Sequence, residues 1–230
     1  MKKYELTDET MNIGTITLHR IKALVAFADV DAGELGGWIE KESNLDQAGD
    51  AWVYDDAWVY GDAWVYGDAK VYGNAWVYDD AWVYGNACVY GNARVYGNAK
   101  VYGNAWVYGN AWVSGDARVY GDVWVSGDAR VSGDARVSGE NHYLVIGPIG
   151  SRDDMITFTR NEKGGIFASV GCFFGTLAEF RAKVSDTHGG NVHAQAYLLA
   201  AQLAELRIDT TPISDTQEEP TEGYEKGSAE

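Results

Sequence analysis

The residues of this 230-residue chain whose types and spacing could hold a small anion lie from Arg118 onward. Gly147-Pro148-Ile149-Gly150-Ser151-Arg152 is a glycine-rich turn that ends in a hydroxyl and a guanidinium. Such turns present backbone N–H groups to an anion, and arginine adds a bidentate fork. Arg160 follows on the next predicted strand, and Arg118 and Arg136 stand 18 residues apart upstream. Tyr143 and Phe173 offer flat surfaces on which a base or a sugar stacks. Together Tyr143, Gly150, Ser151, Arg152, Arg160, Phe173, Arg118 and Arg136 predict a pocket for an anionic small molecule such as a nucleotide. The same residues are also compatible with an ordinary β-turn and solvated arginines.

Catalysis finds less support. A general base needs a titratable group beside its substrate. The four histidines are His19, His142, His188 and His193. His188, in Thr-His-Gly-Gly, reads as a helix-end residue, and His193 as a partly exposed helical residue. Cys88 and Cys172 have no metal-ligand spacing, and two unpaired-looking cysteines fit a reducing cytoplasm. Cys172, in Gly-Cys-Phe-Phe-Gly, is expected to be buried. No Ser/His/Asp order and no phosphate-loop signature is present. The reading therefore assigns no catalytic residue, no metal and no cofactor.

The element that must position everything else runs from Ala51 to Glu140. It is fifteen consecutive hexapeptides of the form Ala-x-Val-Tyr/Ser-Gly/Asp-Asp/Asn, broken only by Val123 and Glu140. A strict six-residue period means a solenoid of stacked coils. Ala and Val are two residues apart and share one side of a strand, so they face inward. Gly supplies the positive φ of a corner, and Asp or Asn bonds the turn backbone. Three hexapeptides close an 18-residue triangular coil, so the 90 residues make five coils. At a strand spacing of ~4.8 Å the rod is roughly 24 Å long. Each inward Val contributes roughly 1.5 kcal/mol or more on burial. The corner carboxylates lack the nine-residue glycine-rich pattern of calcium-binding repeats and read as backbone-geometry residues.

This register resembles the hexapeptide repeat of left-handed β-helices, and the left hand is implied by that resemblance. The family often has a small residue after Val, whereas this chain has Tyr at eleven of fifteen such places. Upstream, Arg20 to Ala57, with Gly36-Gly37-Trp38-Ile39-Glu40 as its most specific part, resembles the start of uncharacterised hexapeptide-repeat proteins of bacteria, phages and prophages. These are often labelled transferases on the repeat alone. Acyltransferases of the repeat class generally use a histidine near a loop that leaves the coil. Here the repeat contains neither a histidine nor an insertion.

Residues 18 apart stack on one face, which puts Trp52, Trp58, Trp64, Trp76 and Trp82 on the outside of the first coils. Exposed aromatic area of this size marks an interface, although aromatic ladders also stack on themselves. The reading expects Trp52, Trp58, Trp64, Trp76 and Trp82 to form a homo-oligomer interface. The β-helix resemblance makes a trimer the first expectation.

The chain divides into an N-terminal β cap (1–50), the hexapeptide β-helix (51–140), a small α+β domain (141–208) and a disordered acidic tail (209–230). The cap is expected to cover the open edge of the helix. NHYLVIGPIGSR, DDMITFTR and GGIFASVG read as three strands. Thr176 to Glu179 forms a capping box that starts one helix, and NVHAQAYLLAAQLAELR forms a second. The net charge is −16. It is spread unevenly: acids and bases number 10 and 5 in 1–50, 11 and 6 in 51–140, 6 and 6 in 141–208, and 7 and 1 in 209–230. Such a chain is a poor partner for duplex nucleic acid. No signal-peptide pattern or membrane-length apolar run is present.

These observations lead to a mainly β protein, read as a non-enzymatic cytoplasmic binding protein of phage type. It would be an oligomeric β-helix scaffold holding an anionic small molecule, one version being a sequestered signalling nucleotide. Two alternatives stay open. One is a hexapeptide-repeat acyltransferase using His142 or His188, and the other is a structural or protein-binding rod.

Overall fold

The computed structural model describes residues 1–212; most of the predicted acidic tail, from residue 213 on, lies outside the described residues. Three strands come first: β1 (Tyr4–Ile13), β2 (Ile16–Ala23) and β3 (Leu35–Ile39). Fifteen two-residue strands follow, one per hexapeptide, from β4 (Trp52–Val53) to β18 (Arg136–Val137). Each strand pairs in parallel with the one 18 residues later, as in Cys88 with Trp106 and Val89 with Val107. The result is a parallel β-helix with three flat faces.

The inward pair behaves as the repeat predicts. The Val at every repeat is fully buried, and so are the Ala residues and Val123 between them. Every corner Gly from Gly61 to Gly133 has positive φ, and Asp55 and Asp79 take its place at φ 51° and 58°. Gly97 shows why a side chain is excluded: a Cβ there would sit 3.1 Å from the amide nitrogen of Gly115 in the next coil.

The helix starts one coil before the strict repeat. β3 lies parallel to the strand of Trp58–Val59, with Ile39 opposite Val59. Leu45 bridges to Val65 in the same way. Ile39 and Leu45 thus continue the valine column, with 20 residues to the next coil instead of 18. β1 and β2 extend this face antiparallel. At the open edge the Lys3 ammonium donates to the carbonyls of Ala48, Gly49 and Ala51. The Tyr4 hydroxyl donates to Leu45 and Glu42. These groups satisfy carbonyls that no further coil reaches.

Beyond the last coil are β19 (Tyr143–Ile149), β20 (Asp154–Arg160), β21 (Ile166–Val170) and β22 (Phe173–Thr176), an antiparallel sheet in that order. β22 is one strand more than the sequence predicts. Its Phe-Phe-Gly-Thr is too short for a period-2 signal and is held by pairing with β21. Two helices pack against the sheet: α1 (Leu177–His188) and α2 (Val192–Arg207). The Thr176–Glu179 capping box is present, Gly189 ends α1, and Asn191 caps α2. Ile156, Phe158, Phe180, Val184 and Ala201 are central to this second core. Among the described residues no helix is long and apolar enough to cross a membrane.

The aromatic surface departs from expectation. Trp52 is fully buried, boxed edge-on by Tyr4 and Phe27 of its own chain. Trp64 is 5% exposed and stacks on Tyr66 at 4.0 Å. Neither is available to an oligomer interface, because the N-terminal segment and the neighbouring tyrosine cover them. Trp58, Trp76 and Trp82 are half-buried. Trp58 and Trp76 stack at 4.7 Å, and the tyrosine ladders repeat at 4.7–5.1 Å with ring planes within 6° of parallel, except for Tyr54 and Tyr72, which meet edge-on at 6.3 Å. Where tryptophan is interrupted, Arg94 lies over Trp76 and Trp112, and Lys100 over Trp82. Ring faces are therefore spent along the rod, each such contact adding roughly 0.5–1.5 kcal/mol.

Candidate anion-binding site

The predicted pocket residues separate into two groups. β20 is the reason. Arg152 lies two residues before its first residue, Asp154, and Arg160 is its last, so the length of the strand separates them. At the usual strand rise of ~3.3 Å per residue, Asp154 to Arg160 alone spans roughly 20 Å. The two arginines do not converge on one ligand.

Arg160, Arg136, Arg118 and Tyr143 sit toward the joint between the β-helix and the C-terminal sheet. Arg160 is buried, and its Nε donates to the carbonyl of Arg136 at 2.9 Å. Arg136 is buried as well; its Nη2 pairs with Glu162 at 2.6 Å and its Nη1 donates to the Asp116 carbonyl. Arg118 stacks beneath Arg136 in the same sheet. The Tyr143 hydroxyl donates to the Trp124 carbonyl at 2.6 Å. Arg130 links the two regions: its backbone N–H donates to Thr157, and its guanidinium donates to the carbonyl of Gly171, in the turn that also walls the cavity described below. The donors of Arg136, Arg160 and Tyr143 are thus engaged by carbonyls and a carboxylate of the chain itself, and the three residues do not line that cavity. His142 belongs here too. Its Nδ1 accepts from the Ser138 amide at 3.0 Å, and burial, with the Arg160 guanidinium nearby, pushes its pKa down to about 4. A nitrogen already occupied in this way is a poor general base.

Ser151, Arg152 and Phe173 lie at the other end of the sheet and line one cavity of about 200 Å³. Three elements shape it. The Gly150–Arg152 stretch is a single 3-10 turn, closed by Asp153 in the left-handed region at φ 52°. Gly150 has φ 81°, and a Cβ there would collide with the Tyr197 hydroxyl, so only glycine lets the turn lie against α2. The Gly171–Cys172 turn between β21 and β22 forms a second wall, and the α1 residues Lys183, Thr187 and His188 form the third. Cys172 is exposed here, contrary to the expected burial, because it sits at the tip of that two-residue turn.

Lys183, Tyr197, Thr187 and Asp154 escape the sequence reading. Lys183 carries a usable signal: it lies one turn of α1 before Thr187 and His188, so all three share a face. Tyr197 carries none, since it reads as a core residue of an apolar helix. Burial raises the Tyr197 phenol above its ordinary range, so it stays a neutral hydrogen-bonding group. Among the described residues neither Arg152 nor Lys183 makes an ion pair with a carboxylate, whereas Arg181 on the same helix pairs with Glu205 at 2.7 Å. The lining combines Arg152 and Lys183 with the hydroxyls of Ser151, Thr187 and Tyr197, the His188 imidazole, the rings of Phe173, Phe180 and Tyr197, and one carboxylate, Asp154.

A second cleft, of about 290 Å³, opens on the flank of the β-helix between Asp29, Tyr54, Asp55, Lys70, Tyr72 and Cys88. Its lysine is neutralised by Asp29 at 2.7 Å, and Tyr54 donates to the same carboxylate. Burial raises the Cys88 thiol, which leaves it a weak nucleophile.

Comparison with known proteins bears on the coil. The YdcK β-solenoid repeat matches residues 69–85, 81–97, 87–101, 99–115 and 111–127. Over 63 residues the chain is 41% identical to an Escherichia coli (strain K12) protein named "Uncharacterized acetyltransferase YdcK". That match covers 24% of this chain and 19% of the length of its relative. The repeat matches end before β19, so the cavity lies outside them. With its repeats, its fifteen buried valines and its three parallel faces, the chain is a hexapeptide-repeat β-helix protein carrying YdcK-type solenoid repeats.

Proposed function

We propose that this protein is a non-enzymatic binding protein of the reducing cytoplasm, in which the β-helix is a stiff support and the C-terminal domain holds a small phosphorylated ligand. One observation carries the reading. In a chain of net charge −16, Arg152 and Lys183 line the same cavity without a carboxylate partner among the described residues. Each charge-assisted hydrogen bond to a phosphate contributes roughly 1.5–3 kcal/mol. Phe173 and Tyr197 give the ligand an aromatic slot. Asp154, also in the lining, is an acceptor that a bare phosphate does not need and a ribose hydroxyl or base amino group does. The ligand class is therefore a nucleotide, and sequestration of a signalling nucleotide is the narrower form.

Calorimetry with inorganic phosphate and a panel of mono-, di- and cyclic nucleotides tests this. At least one nucleotide should bind more tightly than phosphate, and Arg152→Ala and Lys183→Ala should each weaken it by roughly tenfold or more. Failure of every member to bind, or full affinity in both variants, removes the site and leaves a structural rod.

Acyl transfer is the second reading, favoured by the name of the YdcK relative and by the position of His188 on the cavity wall. Transfer of acetyl from acetyl-CoA to an amine, abolished by His188→Ala and retained by His142→Ala, would establish it in place of the first.

A further inference from the structure

Helix α2 is mounted with three of its four leucines outward. Its inner face is Ala194, Tyr197, Ala200, Ala201 and Ala204, all buried. Its outer face carries Val192, Leu199, Leu203 and Leu206, exposed by 68, 64, 44 and 84%. With half-buried Ala196 these form a stripe at spacings of 4, 3, 4 and 3, the a/d pattern of a coiled-coil seam. From Val192 to Leu206 the seam is about 21 Å long at 1.5 Å per residue.

Three features say what covers it. The first is charge. The seam itself contains no ionisable residue, in a chain of net charge −16; Gln195 and Gln202 border it on one side, and His193 and Arg207 add only basic groups on the other. Two such chains repel over most of their surfaces, and least through the 141–208 domain, where acids and bases balance at 6 and 6. An anionic membrane is excluded by the same charge. The second is symmetry. The stripe is close to palindromic about Leu199, so in an antiparallel pair Val192 meets the opposite Leu206, Ala196 meets Leu203 and Leu199 meets itself. A two-fold interface requires that kind of self-complementarity. A parallel pair would set Ala196 against Ala196 and leave a void, whereas the antiparallel pair matches small to large. Gln195 then faces Gln202 across the flank, amide to amide. The third is the composition of residues 213–230, which hold six acids and one base, with Ile213 and Tyr224 as the only large apolar side chains. That segment lacks the apolar residues to cover a five-position seam.

We propose that α2 is the self-association element of this protein, and that its occupant is α2 of a second copy, packed antiparallel about Leu199. The expectation of an oligomer thereby moves from the tryptophans of the β-helix to the leucines of the C-terminal domain. It does not depend on the ligand cavity, which lies on the other side of α2.

Light scattering on the full chain, from ~1 to ~100 µM, tests it, since a two-heptad seam is a small interface. The wild type should rise toward twice its 25.1 kDa mass, and Leu199→Glu should stay monomeric with an unchanged circular dichroism spectrum and melting curve. Cross-linking fixes the orientation. In a Cys88→Ala, Cys172→Ser background, Leu199→Cys should form a disulfide dimer and Leu206→Cys should not, while Val192→Cys mixed with Leu206→Cys should join. A monomer at ~100 µM, a trimer, or a dimer unaffected by Leu199→Glu overturns the proposal. So does a Leu199→Cys thiol shielded from alkylation in a monomer, which would give the seam to the chain's own C-terminal segment.

Discussion

The β-helix and the C-terminal domain use the same kinds of side chain to opposite ends. In the helix many polar and aromatic groups have a near-copy of themselves 18 residues away, and the two satisfy each other. Asn86 donates to Asn104, Asn104 donates to Asp122, and Asn98 donates to Asp116 along the corners. Tyrosine stacks on tyrosine, and arginine lies over tryptophan. A repeat that answers itself leaves little with which to bind anything else. The C-terminal sheet has no translational neighbour, so its side chains meet unlike partners or none. Arg160 finds a carbonyl, whereas Arg152 and Lys183 face a cavity. Regularity stabilises the support, and the cavity of the C-terminal domain sits where regularity stops.

The strongest test of this division is to break one region and watch the other. Val95→Asp places a carboxylate in the middle of the valine column and should cost ~4 kcal/mol or more, because no partner is within reach. Phe158→Ala should cost about 3–5 kcal/mol within the C-terminal core. Calorimetric scans should show Val95→Asp abolishing the β-helix transition, and Phe158→Ala lowering only the domain transition. If both variants melt in one shared transition, the two regions are a single cooperative unit.

Substituting the two arginines at the ends of β20 sharpens the contrast. Arg160→Ala removes a buried, charge-assisted bond to the Arg136 carbonyl, and should lower stability by roughly 1.5–3 kcal/mol in denaturant melts. Ligand affinity should stay within about twofold of wild type, since Arg160 stands far from the cavity. Arg152→Ala should do the reverse, with affinity lost and the melt unchanged.

The joint also carries a pH signature. His142 has its pKa lowered to about 4 by burial, against 6.5 when exposed. As the pH falls from 6.5 to 4 the unfolded chain binds this proton and the folded chain does not, so stability declines through that window. Above pH 6.5 the residue contributes no slope. In His142→Asn the loss of melting temperature between pH 6.5 and 4 should be smaller than in the wild type. An equal loss would mean that other groups set the acid limb.

The smallest effect belongs to the corner ladders. Asn104→Asp deletes the amide that reaches Asp122 and sets two carboxylates together. On an exposed corner this should cost about 0.5–1 kcal/mol at low salt and less at high salt. A neutral result at low salt would show that the ladder is held by the backbone alone.

From the sequence alone, the six-residue period determined the β-helix, its inward Ala and Val, its turning glycines and the 18-residue stacking. Each follows from nearest-neighbour geometry and repeats fifteen times. The capping box and the glycine stop likewise located α1, because capping is local. What the tertiary structure decided depends on distance and direction between unlike elements. Trp52 is identical in type and repeat position to Trp124, yet one is fully buried and the other 54% exposed, because Tyr4 and Phe27 fold over only the first coil. Arg152 and Arg160 look like one constellation until the strand between them is seen to be fully extended. The apolar spacing of α2 announced a helix but not its facing. A sheet close enough to admit alanines at the contact took that side, and turned Leu199, Leu203 and Leu206 toward the solvent.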